Sequence, residues 1–184
     1  MIVKDRDGNF LIEVDDLHSL DSLDLRRADF SKQVLEGALL IQSDLREADL
    51  SGADLYWVLA ADANFDGAVL RDAQLNGAKL RDATFRGADL RGAYVSYDNL
   101  GGAANLEGAD LTDALLDGAN LAGCEYNDLT QFPAGFDPNT HGMKWVNKDR
   151  IYIRPGSFAS AQYAPGYYIP DKDNPGVLIP DKNS

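Results

Sequence analysis

The chain has 184 residues, of which 45% are apolar and 26% charged, and its formal net charge is −13 at pH 7. A single cysteine excludes a disulfide within the chain, no apolar run approaches a membrane span, and the first residues lack the pattern of a signal peptide. We therefore expect one cytoplasmic domain with a tail and no membrane contact, and the negative charge disfavours direct binding to nucleic acid.

The sequence pattern of residues 1–17 predicts an N-terminal cap that precedes the rest of the fold. The segments Ile2-Val3-Lys4 and 10–14 are typical of two strands, joined by a turn that contains Asp7-Gly8. The acidic turn does not complete the ligand set of an EF-hand because Gly8 is misplaced. We expect an N-terminal hairpin and no metal site there.

Residues 18–128 repeat every five positions around a large apolar residue, which we call the centre. A period of five matches neither a strand nor an α-helix, and it indicates a solenoid whose units must stack to bury their apolar faces. The predicted centres are Leu20, Leu25, Phe30, Leu35, Leu40, Leu45, Leu50, Leu55, Ala60, Phe65, Leu70, Leu75, Leu80, Phe85, Leu90, Val95, Leu100, Leu106, Leu111, Leu116, Leu121 and Tyr126.

A small residue, mostly Ala, stands two places before most centres. Residues two apart in an extended segment point to the same side, so both are expected inside. Gly or Asp commonly follows two places after the centre, as at Gly67, Asp72, Gly77 and Asp82. These residues tolerate left-handed backbone, and they predict a corner after each centre.

The units resemble those of pentapeptide repeat proteins, which read Ala-(Asp/Asn)-Leu-X-X. Matches include Ala48-Asp49-Leu50, Ala88-Asp89-Leu90 and Ala119-Asn120-Leu121. The resemblance implies an all-β fold, a right-handed quadrilateral β-helix of about five coils with four units to a coil. Side chains twenty residues apart should then stack in one column.

Two irregularities interrupt the predicted columns. Ala60 stands between Leu40 and Leu80, so either a neighbour fills the space or the coil is distorted. One extra residue near Ala103 shifts the phase, which predicts a bulge at a corner. With that shift, the two columns that we expect are Leu25, Leu45, Phe65, Phe85, Leu106, Tyr126 and Leu20, Leu40, Ala60, Leu80, Leu100, Leu121.

Residues 129–184 form a C-terminal capping segment and a tail rich in proline and tyrosine. The segment 130–138 resembles the one that follows the last coil in cyanobacterial members of the family. Frequent prolines exclude a helix beyond it, and apolar residues argue against pure disorder. We expect an irregular tail with extended pieces, packed on its own solenoid or on another subunit, in a monomer or a tail-mediated homodimer.

Catalysis is not expected from this sequence. The two histidines, His18 and His141, lie outside the regular units, and no nucleophile–base arrangement, metal spacing or phosphate-binding loop is visible. Cys124 occupies a small-residue position and is interpreted as a buried structural residue. We predict no enzyme activity, no cofactor and no metal.

The acidity allows a second functional hypothesis through the family resemblance. Some pentapeptide repeat proteins mimic DNA and occupy the DNA groove of type II topoisomerases such as gyrase. Asp29, Asp49, Asp89 and Asp110 are predicted to share an outer column, interrupted by Val69. Residues 71–95, however, hold three acids and five bases, which divide the acidic surface. The proline-rich tail also departs from the apolar helix of the quinolone-protection members.

Apolar residues also occupy positions that should be exposed and polar. We predict that they form an interaction patch on one side and its adjoining corner, made of Leu39, Ile41, Tyr56, Trp57, Leu59, Tyr94 and Tyr97. The patch contacts either a partner protein or the chain's own tail from Ile151 onward. We predict a non-enzymatic scaffold that presents acidic and aromatic surfaces to an unidentified protein, with modulation of gyrase as the alternative.

Overall fold

The computed structural model describes residues 2–14, 16, 20–146, 151–152, 168–170 and 177–180. It divides into two units, Met1–Val146 and Asn147–Ser184. His18 lies outside the described residues, as does most of the tail. Among the residues that are described, no helix has both the length and the apolar character that crossing a membrane would need.

The first unit is a solenoid whose backbone pairs with itself at fixed intervals. Parallel bridges link the residue before each centre to its counterpart in the next coil, and where both residues precede Ser96 the counterpart lies twenty residues ahead. The bridged residues form four columns, which we call sides 1 to 4. Side 1 holds Asp24, Asp44, Asn64, Thr84, Asp110 and Gln131; side 2 holds Asp29, Asp49, Val69, Asp89 and Leu115; side 3 holds Val34, Asp54, Gln74, Tyr94 and Asn120; side 4 holds Leu39, Leu59, Lys79, Asn105 and Glu125.

The units centred from Leu25 to Leu90 all form the same hydrogen bonds. The N–H of a centre donates to the carbonyl of the bridged residue above it, as from Leu70 to Asp89 at 2.7 Å. The corner residue two places after the centre donates upward as well and has a left-handed backbone, with φ of 56° at Asp72 and 69° at Gly77. The predicted corners are confirmed. The direction in which the coil winds and the number of its coils stay predictions.

The core is the ladder of centres with small residues between them. Phe65 and Phe85 stack with their ring centroids 4.9 Å apart and their planes within 3°. Ala60 is fully buried, and its N–H donates to Lys79 at 2.9 Å, so the coil is not distorted there. Val58 takes the place of the usual Ala in the same unit and is also fully buried. Large and small residues have therefore exchanged positions within this unit.

The prediction of one extra residue near Ala103 is wrong, because the insertion is larger. From the Lys79–Asn105 bridge to the Tyr94–Asn120 bridge, the interval is 26 residues instead of 20. The six additional residues lie in a loop, residues 97–103, which we call the corner loop. Leu100 is not a centre: its side chain is 80% exposed.

The predicted columns therefore change above the corner loop. Leu111 stacks on the unit of Phe85, because the Phe85 N–H donates to the carbonyl of Asp110. Leu106 follows Leu80 in the other column, in the place predicted for Leu100.

An N-terminal hairpin covers the lower end of the solenoid. Strand β1 (Ile2–Lys4) pairs antiparallel with β2 (Phe10–Glu13), as predicted. The hairpin joins the first coil through the Asp5–Ala28 bridge, and the Asp29 N–H donates to Lys4 at 2.8 Å. Val3 and Val14 are buried with the core residues, so the hairpin closes this end of the apolar ladder.

The upper end carries an irregular cap made by residues 127–146. Strand β3 (Glu125–Tyr126) pairs in parallel with β4 (Lys144–Trp145) and extends side 4 by one step. Between them, aromatic rings lie over the core in a series of close contacts. The successive ring pairs are Tyr126–Phe132, Phe132–Phe136 and Phe136–His141, with centroids 5.5, 5.1 and 4.2 Å apart.

The second unit contains a small sheet, whose strands lie in the extended pieces expected of the tail, although their pairing was not predicted. Strands β5 (Ile151–Tyr152), β6 (Tyr168–Pro170) and β7 (Val177–Pro180) form an antiparallel sheet with β7 in the centre. Pro170 and Pro180 are the last residues of their strands. Proline is tolerated there because its missing N–H need not extend the ladder any further.

Candidate interaction surfaces

The residues of the predicted patch occupy two adjacent sides and two corners. Leu39 and Leu59 stack on side 4, and Tyr94 lies on the neighbouring side 3. Tyr56 and Trp57 form the corner between those sides, where Tyr97 begins the corner loop, and Ile41 lies at the far corner of side 4. The patch is therefore broader than the one side and corner that were predicted. We call the residues of this patch, together with the corner loop, the aromatic surface.

The corner loop is held by Asp98 and two aromatic side chains below it. The Asp98 carboxylate accepts the Trp57 indole N–H at 2.6 Å and the backbone N–H groups of Leu100 and Gly102 at 2.8 and 2.6 Å. The hydroxyl oxygen of Tyr56 accepts the Asn99 N–H at 2.6 Å. The loop therefore depends on side chains for bonds that the regular units make with backbone.

These bonds also set the charge state of the loop. The pKa of the Asp98 carboxyl lies below its ordinary value, first because the Trp57 indole donates a hydrogen bond to the ionised form, with the Gly102 and Leu100 amides adding to the effect. Lys79 further lowers this pKa through its charge, and its ammonium donates to the Ala103 carbonyl at 3.0 Å. Asp98 is consequently ionised at neutral pH.

Two glycines make room for the rings at this corner. A Cβ added at Gly77 would lie 2.7 Å from Cδ1 of Trp57, and one at Gly123 would lie within 2.1 Å of two Tyr97 ring atoms. Both glycines also have left-handed φ, 69° and 73°. Each ring therefore packs closely against the backbone of the coil above, a position that no other residue at the glycine would permit without movement.

The aromatic surface leaves much apolar area in contact with solvent. Trp57, Leu59, Tyr94 and Tyr97 are 36, 38, 45 and 49% exposed, and Leu100 at the tip of the corner loop is 80% exposed. Sequence reasoning missed Leu100 because it is spaced like a centre. The signal that it is not one was Asp98, which stands where a buried small residue would be required.

The predicted acidic column is only partly present. Asp29 and Asp49 stack on side 2 and Asp89 follows above Val69, but the prediction for Asp110 is wrong. The six additional residues in the corner loop move Asp110 to side 1, above Thr84, and Leu115 takes the next place on side 2. Side 2 therefore presents two acids, an apolar gap, one acid and a leucine.

The arginines of residues 71–95 neutralise acids of their own or the next coil. The Asp89 carboxylate accepts hydrogen bonds from Arg71 at 2.5 Å and from Arg91 at 2.8 Å. These bonds, above all the one from Arg91, hold the pKa of Asp89 far below its ordinary value. Arg86 pairs with Asp110 at 2.6 Å, and Arg81 pairs with Glu107 at 2.7 Å. Here the acids are matched by bases, so the surface carries little net charge.

The remaining chemistry of the described residues is structural. Cys124 is fully buried, and burial raises the pKa of its thiol, so the prediction of a small buried residue is confirmed. Within the part of the chain that the structure describes, no group of three or more His, Cys, Asp or Glu side chains could hold a metal ion.

Comparison with known proteins identifies the repeat. A family model described as pentapeptide repeats matches residues 24–59, 61–96 and 103–125 in eight copies. The gap between the second and third segments coincides with the corner loop. A search among curated proteins found no match.

Solved structures similar to this chain include other pentapeptide repeat proteins. Rfr23 from the cyanobacterium Cyanothece 51142 is 32% identical and has a TM-score of 0.37. The match covers 58% of this chain and 65% of Rfr23. HetL from the cyanobacterium Nostoc sp. strain PCC 7120, involved in heterocyst differentiation regulation, is 27% identical over 63% of this chain, with a TM-score of 0.43. This chain spans about half of HetL, 51% of its length.

A further similar structure is QnrB1, a plasmid-mediated fluoroquinolone resistance protein, at 20% identity over 65% of this chain and 78% of its own, with a TM-score of 0.39. Because the pentapeptide repeats model matches more than half of the sequence, this protein belongs to the pentapeptide repeat family.

Proposed function

We propose that this protein is a non-enzymatic scaffold that binds a protein partner through the aromatic surface. The observation that supports the proposal most directly is Leu100, 80% exposed at the tip of a loop that Trp57 and Asp98 hold in place. An exposed apolar side chain on a pre-ordered loop binds with little loss of conformational entropy. Tyr94, Tyr97 and Leu59 are also partly exposed on this surface and add further apolar area.

A pull-down from extract of the source organism, quantified by mass spectrometry, tests this proposal. We expect one or a few proteins to be recovered with the wild type and lost with Tyr97→Ala and Trp57→Ala. The matched control is Trp145→Ala, because Trp145 is 46% exposed and lies outside the aromatic surface. Equal recovery by all the variants would argue that the aromatic surface is not where a partner binds.

The proposed contact between this surface and the tail from Ile151 onward concerns residues that lie mostly outside those described. Deletion of residues 150–184 should raise hydrophobic-dye binding or cause self-association if the tail covers the surface. A truncated chain that stays monomeric and binds no dye would leave the aromatic surface available to a partner.

Modulation of gyrase is the second candidate, and the net charge of −13 favours it. The paired arginines and the break at Val69 weaken it, because DNA mimicry requires carboxylates at phosphate-like spacing along one face. A gyrase supercoiling assay separates the two candidates. If a protein concentration of about 1 μM neither inhibits gyrase nor protects it, this second candidate is removed, because a complex with a nanomolar dissociation constant would be saturated at that concentration.

A further inference from the structure

At the upper end of side 2, the ladder ends with backbone groups that have no partner among the described residues. In lower coils, the N–H of each centre and of the following corner residue donates upward; Leu90 donates to Leu115 at 2.9 Å and Gly92 to Asp117 at 3.1 Å. In the last unit, the N–H groups of Leu116 and Gly118 have no hydrogen-bond acceptor among the described residues. The carbonyl of Ala114 likewise accepts no bond from any residue that the structure describes.

The C-terminal cap crosses above this edge without pairing to it. The chain leaves side 1 at Gln131 and pairs again only on side 4, at β4. An open groove of about 400 Å³ remains between residues 114–118 on one wall and residues 133–136 with His141 on the other. The groove adjoins the upper edge of side 2.

We propose that this edge binds an extended segment of a partner protein by β-strand addition, as one more parallel rung. The segment must be apolar at one residue and basic two residues later. An unpaired strand edge is a ready template for such a segment, because each of its free N–H and C=O groups gains a partner.

The register follows from the rungs below. The Leu115 N–H donates to the Ala88 carbonyl, and the Leu115 carbonyl accepts the Leu90 N–H. By the same pattern, one residue of the added strand should donate its N–H to the Ala114 carbonyl and accept the Leu116 N–H. The residue two places later should accept from Gly118. Three hydrogen bonds then fix a tripeptide.

The side chains of this edge specify the chemistry of the segment. The residue that donates to Ala114 stacks above Leu115, which is 44% exposed, and Pro133 and Phe136 add apolar walls. The residue two places later stacks above the exposed carboxylate of Asp117, which favours Lys or Arg. A second copy of this chain is disfavoured as the occupant because each copy carries a net charge of −13.

Fluorescence polarisation with the full chain tests the proposal. The probe is a fluorescein-labelled peptide, Lys-Ala-Val-Leu-Lys-Gly, whose Ala-Val-Leu core copies the side 2 rung Ala68-Val69-Leu70. We expect saturable binding, and N-methylation of the Val amide should weaken it about tenfold because the bond to Ala114 is lost. No saturation by about 2 mM protein, above a dissociation constant of about 1 mM, would overturn the proposal, as would equal affinity of the N-methylated peptide.

Protein variants locate the binding to this edge. Asp117→Asn should weaken peptide binding about threefold, as expected for one exposed charge pair, whereas Asp113→Asn in the preceding unit should leave it unchanged. Equal effects of the two would indicate attraction by net charge alone and would contradict the register. Leu100→Asp, which disrupts the aromatic surface, should not change peptide affinity, so failure here and failure of the proposed function are distinguishable.

Discussion

The regular ladder below Ser96 and the corner loop above it contain the same residue types but use them in opposite ways. Leu75 is fully buried, whereas Leu100, in phase with it along the sequence, is 80% exposed. In the ladder, the Asp before a centre accepts the backbone N–H two places later, as Asp49 does from Ser51, whereas Asp98 also accepts the Gly102 N–H and the Trp57 indole N–H. The ladder therefore supplies stability from burial, and the corner loop supplies a shaped surface from a few polar bonds.

The largest expected effect separates these two roles directly. Leu75→Ala removes a fully buried side chain and should lower the free energy of unfolding by about 2–5 kcal/mol. Leu100→Ala, the matched control, should change it by no more than about 0.5 kcal/mol because its side chain is already in solvent. Urea unfolding followed by circular dichroism measures both. Similar losses would show that Leu100 is a core residue after all.

The next effect distinguishes a corner that contacts Trp57 from an ordinary corner of the ladder. Gly77→Ala and Gly87→Ala both place a side chain at a left-handed corner, with φ of 69° and 61°, which costs about 1–2 kcal/mol. Only at Gly77 does the new Cβ also meet the Trp57 ring; at Gly87 the space is open. Gly77→Ala should therefore be the more destabilising and should change Trp57 fluorescence. Identical stabilities would contradict the close approach of the ring.

A smaller effect is expected when one bond of the corner loop is removed. Trp57→Phe keeps most of the ring but loses the indole N–H that Asp98 accepts, a bond that contributes about 1 kcal/mol. Amide hydrogen exchange at Leu100 and Gly102 should accelerate about fivefold while exchange in the ladder stays unchanged. Trp145→Phe serves as the control. Unchanged exchange in the loop would show that Trp57 does not hold it.

The smallest effect is the pH dependence of the loop. Because the pKa of Asp98 is lowered in the folded protein, its contribution is present at neutral pH and is lost as pH falls through the folded pKa, below the ordinary value of about 3.9. In a Trp145→Phe background, Trp57 emission should change with a midpoint in that acidic range. Asp98→Asn should remove the transition. A midpoint near pH 6, or a transition that survives Asp98→Asn, would contradict this assignment.

The sequence predicts the ladder well because the same geometric need recurs in every unit. Left-handed corners at Gly67 and Asp72, and a buried small residue before most centres, follow from one period. The fully buried Val58 beside Ala60 shows that the volume of a unit can be redistributed without disturbing its hydrogen bonds.

The corner loop could not be predicted from the period alone. Leu100 follows Val95 by five residues, so spacing assigns it to the core; only the polar Asp98 two places before it indicated otherwise. That error moved Asp110 to the wrong side. The sheet of β5, β6 and β7 was missed for a different reason, since strand pairing in the tail depends on contacts between distant segments that carry no repeat.

The central claim, that the corner loop presents a binding surface, is tested most directly by quantitative recovery of the partner with two matched variants. Leu100→Asp and Leu129→Asp each place a carboxylate at a highly exposed leucine, 80 and 71% exposed, but only the first lies in the corner loop. We expect recovery of the same partner to fall at least about tenfold with Leu100→Asp, the loss of one interface anchor, and to be unchanged with Leu129→Asp. Full recovery with Leu100→Asp would contradict the claim.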